Sequence, residues 1–174
     1  MWTKKIIRTV TTFLAVFAAL TVFNAPTASA AVTLNGRLNA QGGFKCATPE
    51  GNKTSNGTVI AIWWCTGSNM QRFHWLTSGE LYHWESGKCV TPRGNAAGTN
   101  GTVLTLWDCT GSSVQEWQVY DSQNRPARTV SSGGKCITGY GNSVETGTYL
   151  TLWTCASDWP VAQDWGIDPF TPHD

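Results

Sequence analysis

Three tryptophans each stand two residues ahead of a cysteine: Trp63 before Cys65, Trp107 before Cys109 and Trp153 before Cys155. An indole held at a surface offers a flat apolar face on which the C–H side of a sugar ring can stack, with the ring N–H left for hydrogen bonding. Cysteines form disulfides or bind metal, and Cys46, Cys89 and Cys136 bring the total to six. Structural zinc sites draw on C-x-x-C pairs or Cys and His sets at short, fixed spacing. The chain has no C-x-x-C, and His74, His83 and His173 stand at unrelated positions, so no metal site and no cofactor are expected.

Acid–base chemistry is no better served. Glycoside hydrolysis needs two carboxylates several ångströms apart across one cleft, and nothing in the spacing of the 11 acidic residues pairs any two of them. Asp108, Glu116 and Asp164 lie near the Trp and Cys landmarks at positions that do not match one another, and read as solvated surface charges. Neither His74 nor His83 lies in a nucleophile-elbow context. The chain is expected to be no enzyme.

The elements that must hold these residues are short. Val103–Trp107 and Tyr149–Trp153 are β-branched, Leu-rich or aromatic runs bounded by Gly-Thr turns, and no stretch of the chain after its N-terminal leader keeps a helical period of apolar residues. The fold class is therefore all-β. Alternation along a strand puts Ile60 and Ile62, Leu104 and Leu106, and Leu150 and Leu152 on one face, the expected core. Ala61 and Trp63, Thr105 and Trp107, and Thr151 and Trp153 then point the other way, beside the cysteines. At that position each Trp either stacks on a ligand or shields a disulfide.

The landmarks recur. Lys45-Cys46, Gly57-Thr58, Trp63-Trp64-Cys65 and Gln71-Arg72-Phe73 are followed in the same order by Lys88-Cys89, Gly101-Thr102, Trp107-Asp108-Cys109 and Gln115-Glu116-Trp117. Lys135-Cys136, Gly147-Thr148, Trp153-Thr154-Cys155 and Gln163-Asp164-Trp165 complete a third set. Each unit is too small to bury a core alone, so the three must share one. Propellers typically need four or more blades; a closed β-trefoil of three units with about four short strands each fits better, with repeats about 31–75, 76–119 and 120–168. Six cysteines allow 15 pairings. The arrangement that respects threefold symmetry joins Cys46 to Cys65, Cys89 to Cys109 and Cys136 to Cys155, each bridge contributing about 3 kcal/mol in the chain-entropy account.

Before the repeats, Lys4, Lys5 and Arg8 precede an apolar run from Val10 to Phe23 and then Ala28-Ser29-Ala30. This order reads as a secretory signal peptide over residues 1–30, too short in its apolar run to span a membrane. Residues 31–174 are then a secreted, extracellular domain, disulfide-permissive and expected to be a monomer. Loss of the leader leaves nine basic against eleven acidic residues, a net charge of −2. Nucleic acids and anionic membranes attract a concentrated basic footprint, so neither is an expected partner; neutral, polar molecules are.

Lys-Cys, Gly-Thr, Trp-x-Cys and Gln-x-Trp (Gln-x-Phe in the first repeat), repeated three times over essentially the whole mature chain, resemble the ricin-B-type β-trefoil lectins and the related carbohydrate-binding modules of bacterial glycosidases. The resemblance implies a galactose-type or xylan-type sugar-binding module with up to three shallow pockets. It places the pocket aromatic at Trp63, Trp107 and Trp153, and an Asp that accepts sugar hydroxyls where this chain has Thr48, Thr91 and Thr138. A Gln often found two residues before the aromatic is Ala61, Thr105 or Thr151, and the Asn before the Gln-x-Trp motif is Met70, Val114 or Ala162. A neutral hydroxyl replaces a charge-assisted acceptor in every repeat, so weak binding through the Trp faces is expected.

Gln71, Gln115 and Gln163 either orient the backbone of their repeat or touch the ligand, and Phe73, Trp117 and Trp165 read as core. An extracellular protein-interaction or protease-inhibitor trefoil that has lost sugar binding is the alternative; buried rather than exposed Trp63, Trp107 and Trp153 would favour it. Asn52, Asn56 and Asn100 begin glycosylation sequons, though Asn56-Gly57 and Asn100-Gly101 also suit a tight turn.

Overall fold

The computed structural model describes residues 32–40, 44–120, 128–131, 133–158 and 160–169. The leader expected at residues 1–30 lies outside the described residues. Strands and single 3-10 turns make up the regular structure that is described. The first repeat holds β1 (Val32–Ala40), β2 (Lys45–Pro49), β3 (Ile60–Trp64) and β4 (Arg72–Leu76). The second holds β5 (Leu81–His83), β6 (Lys88–Pro92), β7 (Leu104–Asp108) and β8 (Trp117–Tyr120). The third holds β9 (Arg128–Ser131), β10 (Lys135–Gly139), β11 (Leu150–Thr154) and β12 (Trp165–Pro169).

Strand β1 pairs antiparallel with both β4 and β12, so the first strand meets the last and the chain closes on itself. Strand β4 continues to β5, and β8 to β9; a Glu80–Glu116 bridge and the bond from Trp117 N–H to the Gly79 carbonyl join the second repeat's outer strands. The middle strands of each repeat form the hairpins β2–β3, β6–β7 and β10–β11. In all three the first cysteine sits directly opposite the Trp: Cys46 across from Trp63, Cys89 from Trp107 and Cys136 from Trp153.

The hairpins are locked in a ring by the Gly-Thr pair of each repeat. Gly57 N–H donates to the Leu106 carbonyl and Leu106 N–H to the Thr58 carbonyl, both at 2.8 Å. Gly101 and Thr102 make the same two bonds with Leu152, and Gly147 and Thr148 make them with Ile62. First clasps second, second clasps third, third clasps first. The recurrence of Gly-Thr is therefore a requirement of closure as well as of a local turn.

Ile60, Ile62, Leu104, Leu106, Leu150 and Leu152 are fully buried, with Phe73, Trp117 and Trp165 in the same core. The buried indole N–H groups are satisfied, Trp117 donating to the Val90 carbonyl at 3.1 Å and Trp165 to that of Ala162 at 2.9 Å. All six cysteines are bridged within their repeats, Cys46–Cys65, Cys89–Cys109 and Cys136–Cys155, with Cα atoms 5.0–5.1 Å apart.

One expectation needs correction, and one face of the hairpins is more covered than strand alternation alone implies. Ala61, Thr105 and Thr151 are buried although they lie on the non-core face of their strands. Isolated bridges Ala61–Tyr149, Val59–Thr105 and Val103–Thr151 bring the three hairpins together there, so that face opens to solvent only at the Trp. Asp164 is buried at the start of the closing strand, not a solvated surface charge.

Candidate functional site

Each hairpin supports one open cleft beside its Trp. The first is about 470 Å³, walled by Thr48, Asn52, Trp63, Trp64, Met70 and Gln71. The second is smaller, about 240 Å³, walled by Thr91, Arg93, Asn95, Thr105 and Trp107, with Gly57 contributed by the preceding repeat. The third is about 490 Å³ and holds Thr138, Asn142, Trp153, Asp158, Pro160 and Gln163. The Thr and Trp proposed from sequence thus meet in every repeat, and the Gln joins them on the wall of the first and third clefts.

Trp63, Trp107 and Trp153 are 44%, 47% and 48% exposed, so each keeps an open side while its base is held by the hairpin. The Gly of the neighbouring clasp lies behind two of them. A β-carbon on Gly57 would sit 3.8 Å from the Trp107 ring, and one on Gly101 3.6 Å from that of Trp153.

Thr and Gln form the rigid floor. Gln71 donates to the Thr48 hydroxyl and to the Trp64 carbonyl, both at 2.9 Å, and its own carbonyl accepts from the Thr66 N–H and hydroxyl. Thr48 in turn donates to the Cys46 carbonyl. Gln115 repeats this with Thr91, the Asp108 carbonyl and Thr110, and Gln163 with Thr138, the Thr154 carbonyl and the Ala156 N–H. Each Gln is buried and ties the strand carrying the first cysteine to the backbone on both sides of the second. Of the two roles open from sequence, orienting the backbone is what these bonds do.

A cleft residue that the sequence reading passes over is the Asn of a repeated Gly-Asn pair. Gly51-Asn52, Gly94-Asn95 and Gly141-Asn142 all lie at left-handed φ, between 54° and 64°, and each Asn lines its cleft. Asn is the non-glycine residue that tolerates this region best. The signal was present, since the pair follows the first cysteine at a constant offset in all three repeats.

The residue after each Trp differs. Trp64 has the Lys45 ammonium 3.9 Å above its ring. Asp108 is paired with Lys88 and accepts a 2.8 Å bond from Asn56, and these bonds, Lys88 first, hold its carboxyl below the usual range. The Thr154 hydroxyl takes a 3.0 Å bond from Lys135 and is bonded to the Asn100 side chain.

His74 and His83 serve the scaffold. His83 is fully buried, and since a carbonyl only accepts, its Nε2–H donates to Met70 while Nδ1 accepts from the Ser86 hydroxyl. Burial pushes its pKa down, against the raising effects of the Met70 carbonyl and Glu85. His74 packs 4.8 Å from the Trp84 ring.

Among solved structures, a designed threefold-symmetric protein, ThreeFoil, is similar at 20% identity and a TM-score of 0.69, with 77% of this chain and 98% of that one covered. An exo-β-1,3-galactanase from Clostridium thermocellum matches at 20% identity and a TM-score of 0.70, over 79% of this chain but 30% of its own. Abrus precatorius agglutinin matches at 21% identity and 0.62, over 76% of this chain and 47% of its own. The chain therefore spans a minor part of the galactanase and about half of the agglutinin chain, and at these identities the likeness shows the fold. No curated protein matches the chain. The family described as the ricin-type beta-trefoil lectin domain matches residues 77–171, more than half of the sequence, across the second and third repeats. With the threefold clasp, the three bridged hairpins and the Trp clefts, that match shows that the chain belongs to the ricin-type β-trefoil lectin family, whose domains are carbohydrate-binding modules.

Proposed function

We propose that this protein is secreted and, as a monomer without catalytic activity of its own, binds neutral glycans or polysaccharide weakly through up to three Trp faces. The observation that carries the reading is the half-exposure of Trp63, Trp107 and Trp153, each beside a cleft with an Asn side chain on its wall. The Thr and Gln hydrogen bonds are spent on one another and on the backbone around the cysteines, so apolar stacking dominates what a sugar meets on the hairpin. Where no charge-assisted acceptor joins it, stacking suits a dissociation constant nearer millimolar than micromolar, about 4 to 6 kcal/mol per site. Several sites on one polymer then raise retention through effective concentration. The competing reading, a trefoil that docks on another protein, has in its favour the exposed Phe44 and Trp64 of the first repeat.

The test is a glycan array probed with the purified protein at low and high salt. Binding to neutral glycans, little changed by salt or chelator, is the expected outcome. Retention confined to sulfated or other acidic glycans and lost in salt would overturn the reading.

A further inference from the structure

The three clefts share a Trp, an Asn and a Thr–Gln floor, but the third departs from the others in two ways. Gln71 and Gln115 stand six positions after Cys65 and Cys109, whereas Gln163 stands eight after Cys155. The longer loop carries Asp158 onto the cleft wall with Trp153, Asn142 and Pro160. Among the described residues neither of the other clefts has a carboxylate on its wall. Asp158 is exposed and makes no ion pair or side-chain hydrogen bond among the described residues, unlike Asp108, which Lys88 and Asn56 already occupy.

The second difference lies at the floor. Thr66 and Thr110 each give the Gln carbonyl of their repeat two donors, the N–H and the hydroxyl. Ala156 stands in their place in the third repeat and gives one, its N–H. A carbonyl oxygen has two lone pairs. Gln163 therefore keeps an acceptor position that Gln71 and Gln115 have filled.

From these two differences we infer that the third cleft is the principal ligand site and that it takes a neutral pyranoside presenting vicinal hydroxyls. This deepens the proposed function and rests on it. The sugar's apolar face lies on Trp153, one hydroxyl donates to the Asp158 carboxylate, and the cleft floor offers the Gln163 carbonyl to another. Hydrogen bonds to a charged acceptor are roughly twice as strong as neutral ones. The acceptor that the hairpin lacks at Thr138 is thus supplied by the loop on the far side of the disulfide.

The test is a two-dimensional NMR titration of the indole N–H signals of the purified protein with methyl β-D-galactopyranoside and, separately, methyl β-D-xylopyranoside. The Trp153 signal should saturate at the lowest sugar concentration. In Asp158→Asn its apparent dissociation constant should rise about tenfold, while those of Trp63 and Trp107 stay unchanged. Three indoles that respond alike, or an Asp158→Asn variant that binds as the parent does, would overturn the inference and leave the Trp-face reading standing. A titration in which no indole responds to either sugar would overturn both.

Discussion

Gln71 reaches back across 23 residues to donate a hydrogen bond to the hydroxyl of Thr48, fastening the strand before the cleft to the turn after it. The same pair recurs as Gln115 with Thr91 and Gln163 with Thr138. Replacing Gln71 by Leu removes two donors and a doubly used acceptor from a buried position, orphans the Trp64 carbonyl and the Thr66 N–H, and leaves the Thr48 hydroxyl only its own bond to the Cys46 carbonyl. Unsatisfied buried groups cost about 1–3 kcal/mol each when water cannot reach them. Since Thr66 is exposed, the expected loss is about 2–4 kcal/mol, read by urea denaturation. A change below the error of the measurement would remove Gln71 from the scaffold.

The Gly-Thr clasp predicts a cost at Gly101. Its φ is +81°, and its N–H holds the Leu152 carbonyl of the next repeat. An L-residue forced into the left-handed region costs about 1–2 kcal/mol. Gly101→Ala should lower stability by that amount and shift the Trp153 indole resonance, because the new methyl meets that ring. Unchanged stability together with an unmoved Trp153 signal would contradict the clasp.

Burial of neutral His83 sets a pH dependence. Its folded pKa lies below the ordinary 6.5, so as pH falls through about 6.5 the unfolded chain takes up the proton first and stability drops. The contribution is complete above that pH and is lost progressively on acidification towards the folded pKa. Urea denaturation between pH 7 and pH 5 should show this decline, and His83→Gln should flatten it in part. His74, which burial and Arg72 also push down, contributes to what remains. An identical slope in His83→Gln would show that His83 does not set it.

Much of this was legible in the sequence, because symmetry multiplies weak signals. One Gln-x-Trp says little, but four landmarks repeated three times give the trefoil, the disulfide pairing and the apolar face of Ile60 and Ile62. Burial of Ala61, Thr105 and Thr151 was not legible. Strand alternation reports two faces, and only the meeting of three hairpins covers the second. The role of Gln71 was left open for a similar reason, since its partners Thr48 and Trp64 are neighbours only in the folded repeat. Asp158 escaped notice because attention to matching positions passes over a residue that sits in the third repeat's two-residue insertion.

The central claim is that Trp63, Trp107 and Trp153 form the binding faces. It is tested by retention on insoluble neutral polysaccharide of the parent protein, the three single Trp→Ala variants and the triple variant, each first shown to be folded by its far-ultraviolet spectrum and its cooperative unfolding. Exposed at nearly half their surface, these side chains can be removed without opening the core. Each single variant should bind more weakly, and the triple variant should lose retention. A folded triple variant that is retained as well as the parent would contradict the account.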